Sequence, residues 1–320
     1  MTEKHLSQEQ VLENAHYHEY SSSADPIGAG FIKPVPYHVF PHTLHEEGKT
    51  RIISLDLSKQ LGCSYPATSP ALLANFIHIK PEEKIETDAN ASSHLFYVIR
   101  GTGRTEVDDL IIPWSVGDFF VLPANSKAMH YAESDSAFYY INDEPLLNYL
   151  GAEATEKRFK PTLFTEECCF AELEKAIHSF KKHPDRNRVS ILLSNKMFPQ
   201  TRTITHVLWA MFGILEPGQV QPPHRHQSVA IDFAVECQPG CYTLIGEKLD
   251  ENGHIIDPVR ADWKPYSVFV TPPGYWHSHH NESGVAAHVI PLQDAGLHTY
   301  LRTLDIQFAH PKNEPINLIG

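Results

Sequence analysis

Apolar positions in this chain fall in short runs broken by Pro, Gly and Asp, not in long helical stripes. The runs Arg51–Leu57, Leu72–Ile79, Leu95–Arg100 and Phe119–Leu122 form one set. Thr205–Leu215, Val229–Val235, Tyr242–Ile245, Val268–Thr271 and Ala286–Ile290 form a second. Short apolar runs bounded by turn-forming residues predict strands. Between the sets, Glu166–Lys182 changes to helical spacing, with Phe170, Leu173, Ala176, Ile177 and Phe180 on one face. The pattern therefore predicts an all-β chain in two halves. A polar arm spans residues 1–46, strand-rich segments span 47–150 and 201–310, a partly helical connector spans 151–200, and a tail spans 311–320.

Composition narrows the partners. At 320 residues the chain can bury two separate cores. A net charge of −13 argues against nucleic acid or an anionic membrane surface as partner. No apolar run approaches the roughly eighteen residues of a membrane span. The start, Met1-Thr-Glu-Lys-His, lacks a basic-then-apolar leader pattern. Five cysteines at scattered spacings, Cys168-Cys169 adjacent and Cys237 and Cys241 flanking a Pro-Gly turn, read as buried thiols and not as a disulfide framework. A cytoplasmic protein is expected.

The chemistry concentrates in two segments. The first is Gly218-Gln-Val-Gln-Pro-Pro-His224-Arg-His226; the second is Pro272-Pro-Gly274-Tyr-Trp276-His277-Ser-His279-His280-Asn281. On an extended segment, His-x-His sends two imidazoles to one face. A third histidine after a Pro-Gly turn can close over them from a neighbouring strand. Three imidazoles with open positions make a catalytic type of metal site, so His224, His226 and His277 are the expected ligands. Arg225, between two ligands, should face away from the metal and serve a structural ion pair.

These spacings resemble the two-part signature of the cupins, small β-barrels with a mononuclear metal. Residues 218–226 fit the first part and 272–281 most of the second, with Tyr266 where its leading Gly belongs. The carboxylate ligand of the first part is missing, since Ala230 and Ile231 occupy its window. The three-histidine set resembles gentisate 1,2-dioxygenase and its ring-cleaving relatives. In the first half, Gly117-Asp-Phe-Phe-Val-Leu-Pro123 and His94-x6-Gly101 resemble a degraded copy, with Asp88, Asn90, His94 and His130 as remnants of its site. The resemblance implies a bicupin: two jelly-roll β-barrels joined by a short helical connector, with the metal in the second barrel, barrel order swapped relative to those enzymes, and a homo-oligomeric assembly.

That resemblance also implies Fe(II), with Mn, Ni and Zn as alternatives, and a small-molecule substrate and O2 as partners. His279 corresponds to a histidine outside the ligand set and is the expected proton handler. Trp276 and Asp232 are candidate substrate contacts. Asp232 stands where the relatives carry an arginine that grips a substrate carboxylate, and Gly213 stands where they carry a glutamine. A carboxylate there inverts the local charge. It favours a substrate with a hydroxyl or amine at that end, such as an aminophenol, over gentisate. The expected activity is oxygen-dependent C–C cleavage of a small hydroxylated, aromatic substrate. Its rivals are isomerase, lyase or hydrolase chemistry on a redox-inert metal, and metabolite binding without turnover. The polar stretch Glu247–Asp262 reads as an exposed loop able to act as a lid.

Overall fold

The computed structural model describes residues 7–182 and 188–309, so the tail expected over 311–320 lies outside the described residues. The chain divides into two compact units, Met1–Pro34 and Val35–Gly320. In the first unit, Gln8–Leu12 and Tyr20–Ser23 are short helices that bury no side chain. Ser7 and Gln10 form a capping box on the first, satisfying its amides locally. Among the described residues no helix is long and apolar enough to cross a membrane. All five cysteines are free thiols.

Within Val35–Gly320, four antiparallel sheets form two jelly-roll barrels, the all-β bicupin expected from the motifs. In the first barrel a six-stranded sheet runs, edge to edge, Thr162–Phe164, Phe119–Pro123, Ser93–Arg100, Ser136–Asn142, Leu73–Ile79 and Arg51–Ser54. Its four-stranded companion holds Lys84–Thr87, Ala128–Ala132, Gly103–Val107 and Leu110–Trp114. The second barrel repeats this order. Its six-stranded sheet runs His38–Phe40, Val268–Thr271, Ala230–Glu236, Ala287–Gln293, Trp209–Leu215 and Val189–Leu193. The companion sheet holds Val259–Asp262, Cys241–Gly246, Trp276–Asn281, Val220–Arg225 and an added edge strand, Gln307–Phe308. The second barrel thus takes one edge strand from the segment read as an arm and the other from the segment read as a connector.

The two six-stranded sheets pack against each other. Leu95, Tyr97 and Ile99 of one meet Ile231, Phe233 and Val235 of the other in a single apolar core. Tyr139 stacks on Phe233 at 5.0 Å, and its hydroxyl donates to the Ile231 carbonyl at 3.1 Å. Strand alternation sends the intervening residues, Phe96 and Val98 or Asp232 and Ala234, into the barrel interiors. Glu166–Lys182 is a helix as predicted; Cys169 and Leu173 are buried, and Ala176, Ile177 and Phe180 pack on the shared core.

The turn before Phe119–Pro123 needs a left-handed residue, and Gly117 supplies it at φ +85°. Tyr266 takes the same place before Val268–Thr271 at φ +63°. The missing motif glycine therefore leaves the turn geometry intact, with the strain of a bulky residue in that region.

Candidate metal centre

His224 lies on Val220–Arg225 directly opposite His277 on Trp276–Asn281. The pairing is irregular between Gln221 and His224, where the consecutive prolines fall, and the bulge re-aims the strand end. Beyond it, the His226 carbonyl accepts from the Gly274 amide at 2.7 Å, which clamps the Pro-Gly turn against the ligand segment. Gly274 sits at φ +78°, a conformation glycine tolerates. Period-two alternation then puts His277 and His279 on one inward face. His224, His226, His277 and His279 are all buried. The His224 and His277 rings are 4.0 Å apart, and the His226 ring lies 4.9 Å from that of His277. His224, His277 and His279 each bring one ring nitrogen within 4.8 Å of the other two.

Hydrogen bonding assigns the protons. Nδ1–H of His224 donates to the Pro222 carbonyl at 3.1 Å, that of His277 to Tyr275 at 3.1 Å, and that of His226 to Ser228 at 2.9 Å. A carbonyl can only accept, so each neutral ring keeps its Nε2 lone pair. The Gln293 amide points at the Nε2 of His226, at 3.5 Å, in agreement. Burial is the main force holding these rings neutral. It pushes His226 down to about 4 and His224 and His277 well below the ordinary histidine range, with mutual repulsion and the Arg188 guanidinium adding to it. Neutral imidazoles with directed lone pairs are the donor set that Zn, Fe, Ni or Cu requires, so the residues present fit a metal.

Across the interior, the six-stranded sheet presents polar groups toward the histidines. Thr271, Ala230, Gln293 and Trp209 lie in one row across four strands, with Asp232 two residues further along its strand. Among the described residues, Asp232 Oδ1, Thr271 Oγ1 and Trp209 Nε1 are buried without a hydrogen-bond partner. Burial raises Asp232 to about 8, against the opposing pull of Arg188. Arg188 also acts on all four histidines. The charge inversion expected at Asp232 is therefore changed in two ways: the carboxyl is held toward its neutral form, and a guanidinium reaches the same interior from beside Val189–Leu193. Sequence reasoning missed Arg188, Trp209 and Thr271. A reading of Val189–Leu193 as a strand would have placed Arg188 at a barrel mouth.

Trp276 and Arg225 go elsewhere. Both alternate out of the interior, and the Arg225 guanidinium lies 5.0 Å over the Trp276 ring. The Arg225 fork donates to Oε1 of Gln307 at 3.0 and 2.9 Å, so an amide takes the place of the expected ion-pair partner. The substrate contact expected of Trp276 is corrected on this ground: its indole packs beneath Arg225 on the outer face. The stretch Glu247–Asp262 is part hairpin, with Leu249 bridged to Ile255, and part sheet, since Val259–Asp262 pairs with Cys241–Gly246.

In the first barrel the four remnant residues do not converge. Asp88 is exposed beside Lys127, and the Asn90 amide bonds the backbone at Ala152 and Ala154. His94 is buried with Nδ1 on the Tyr140 hydroxyl at 2.8 Å, and His130 is held by Thr87 and Thr105. Pairing registers identify the true counterparts. Thr87 opposes Ala128 as His224 opposes His277, and Thr105 opposes His130 as Thr243 opposes His279. Counting back from His94 points to Asp88 and Asn90, whereas the first ligand's place is held by Thr87.

Comparison with known proteins agrees with the fold. No family model matches the chain. A 1-hydroxy-2-naphthoate 1,2-dioxygenase of Nocardioides sp. is 28% identical over 33% of this chain and 24% of its own length. A gentisate 1,2-dioxygenase of Aquipseudomonas alcaligenes is 29% identical over 31% and 25%. A 5-aminosalicylate 1,2-dioxygenase of Comamonas sp. is 34% identical over 26% and 23%. The matched region thus spans about a quarter of each curated relative. Among solved structures, a single-substitution mutant of salicylate 1,2-dioxygenase of Pseudoaminobacter salicylatoxidans in complex with gentisate superposes with a TM-score of 0.70 at 14% identity, covering 93% of both chains. At that identity the likeness speaks for the bicupin fold.

Proposed function

We propose that this protein is a metal-dependent dioxygenase that cleaves a C–C bond of a small hydroxylated aromatic molecule, with Fe(II) held by His224, His226 and His277. The observation that carries the reading is the three Nε2 lone pairs at one end of a barrel interior that also holds unpartnered polar atoms. Buried polar groups are normally hydrogen-bonded, so a polar guest is the natural occupant. The local relatives act, by their names, on hydroxylated aromatic acids.

Fe(II) held there by His224, His226 and His277 would supply Lewis acidity and redox chemistry toward O2. The chain's own residues do the rest. Tyr275, Pro222 and Ser228 carbonyls fix the ligand rings through Nδ1, the outer support that commonly matters 10–100-fold for affinity or activity. Arg188 offers positive charge to an acidic group on the substrate. Asp232, near neutral, both accepts and donates, and suits a hydroxyl or amine at that end. Burial on apolar walls excludes water from the reacting atoms.

The test is metal content and oxygen uptake after anaerobic Fe(II) loading, against a panel of hydroxylated aromatics. About one iron per chain is expected, with uptake abolished in His226→Ala. Tightly held zinc or nickel without oxygen uptake would overturn the dioxygenase reading and leave Lewis-acid chemistry or sensing. For Asp232, Asp232→Arg should raise turnover of gentisate; ready turnover of gentisate by the unaltered protein would refute the specificity assigned to it.

A further inference from the structure

Four histidines meet at the centre, and the fourth is held differently. Nδ1 of His279 faces no carbonyl. It sits 2.8 Å from Oγ1 of Thr243, and that oxygen accepts from Nε1–H of Trp263 at 2.9 Å. Thr243 is fully buried, and an indole N–H can only donate. Among the described residues, the one partner able to take the Thr243 hydroxyl proton is therefore Nδ1 of His279. A neutral ring that accepts at Nδ1 carries its proton on Nε2. We infer that Trp263 and Thr243 are positioning residues that fix His279 as the Nε2–H tautomer, making it a hydrogen-bond donor into the site beside three lone-pair donors.

The first barrel holds an independent copy of the device. Nε1–H of Trp114 donates to Oγ1 of Thr105 at 3.1 Å, and that oxygen lies 2.8 Å from Nδ1 of His130. The same reasoning gives His130 an Nε2–H, and there an acceptor is supplied: Oγ1 of Thr87 at 2.9 Å. Thr87 occupies the place of His224. Where the repeat has lost its ligand, the donor is answered by a hydroxyl. In the second barrel it is directed at the ligand nitrogens and whatever they hold. His279 thus meets the distance criterion for a ligand while its proton occupies the ligating nitrogen. An acceptor such as a substrate oxyanion is the partner this geometry suits.

The dependence on the proposed function is limited to what His279 faces, because the tautomer belongs to the metal-free chain. Long-range proton–nitrogen NMR of the metal-free protein at pH 7.5 reads it directly. His279 and His130 should show a pyridine-type Nδ1 and a pyrrole-type Nε2, and His224, His226 and His277 the reverse. Thr243→Val should lower the His279 tautomer ratio roughly five- to tenfold, the population equivalent of one net hydrogen bond, and Thr243→Ser should restore it. A pyrrole-type Nδ1 on His279 in the unaltered protein, or a spectrum unmoved by Thr243→Val, would overturn the inference. Absence of oxygen uptake beside the expected tautomers would remove only the dioxygenase reading.

Discussion

The two barrels share a strand order, an edge-strand arrangement and a Trp–Thr–His relay, yet one interior carries aromatic rings where the other carries smaller or polar side chains. Register pairs their inward positions one by one. Phe96 corresponds to Asp232, Phe138 to Val289, Ile77 to Gly213, Tyr140 to Pro291 and Leu122 to Thr271. In the first barrel, Phe96 stacks on Phe120 at 4.6 Å and on Tyr140 at 4.4 Å, closing the interior with aromatic rings. In the second, each of the five counterparts is smaller or polar, while Phe120 is matched by Phe269. The framework of a site can thus persist while side-chain volume decides whether anything can enter. The two interiors differ by a handful of side chains on the same sheet framework.

The largest effect should follow from carrying volume across. Val289→Phe puts the ring of Phe138 into the second barrel without touching a histidine. Overpacking should lower stability by about 1–3 kcal/mol. Metal content should stay at about one per chain, while turnover and protection by aromatic ligands fall to background. Retained turnover would show that the substrate does not occupy the space between Val289 and the histidines. Loss of metal together with turnover would show that the interior cannot be altered separately from the ligands.

What was legible in the sequence follows the same division. Strands of the six-stranded sheets are buried on one face by the partner barrel and on the other by their own interior, so they read as mostly apolar runs: Leu73–Ile79, broken only by Asn75 and His78, and Ser136–Asn142 are buried throughout. The first of these is plain in the pattern, and Val229–Val235 and Val268–Thr271 are equally so. Gly103–Val107 and Ala128–Ala132 alternate buried with half-buried residues and carry Arg, Glu, His and Tyr, which hides them. Short edge strands such as His38–Phe40 and Val189–Leu193 depend on a neighbour that the sequence does not name. In the site, His224, His226, His277 and His279 were visible because their spacing lies within two continuous segments. Trp209 and Thr271 come from two other strands that only the sheet register brings together, and Arg188 precedes a third, Val189–Leu193. The remnant site failed for a related reason. Counting from His94 assumes equal spacing in both copies, but Thr87 lies seven residues before His94 whereas His224 lies six before Ala230, so the first copy carries one more residue in that connection.

Acid should expose a shared cost of both interiors. Burial holds His94 at about 4 and His130 at about 3, as it holds His226 at about 4 and His279 at about 3. These pKa values lie below that of an unfolded histidine, so the unfolded chain binds more protons between about pH 4 and 6.5. Stability is complete above that window and is lost as pH falls through it. On these shifts each ring removes roughly 2 kcal/mol by pH 5. Urea unfolding of the metal-free protein at pH 7.5 and 5.0 should show the loss. Metal saturation should raise stability at both pH values without removing the loss, because bound ligands stay unprotonated while the unfolded chain still takes up protons. Equal stability at the two pH values would mean that these rings are not held neutral.

A smaller effect separates the two relays. In the first barrel, Nε2–H of His130 has one acceptor, the hydroxyl of Thr87. Thr87→Val keeps the shape and removes the acceptor, leaving a donor buried in an aromatic interior. The expected loss is about 1–3 kcal/mol, the usual penalty for a buried unsatisfied group, read as a lower urea midpoint with an unchanged slope. Metal content and oxygen uptake should not move. The corresponding nitrogen of His279 has no such acceptor to lose, because its place is taken by His224. A neutral outcome for Thr87→Val would mean that water or a shifted side chain answers His130, and that the first barrel retains room its packing does not suggest. A clear loss confined to stability would show that one hydroxyl, standing where the second barrel has His224, completes the packing of the first interior.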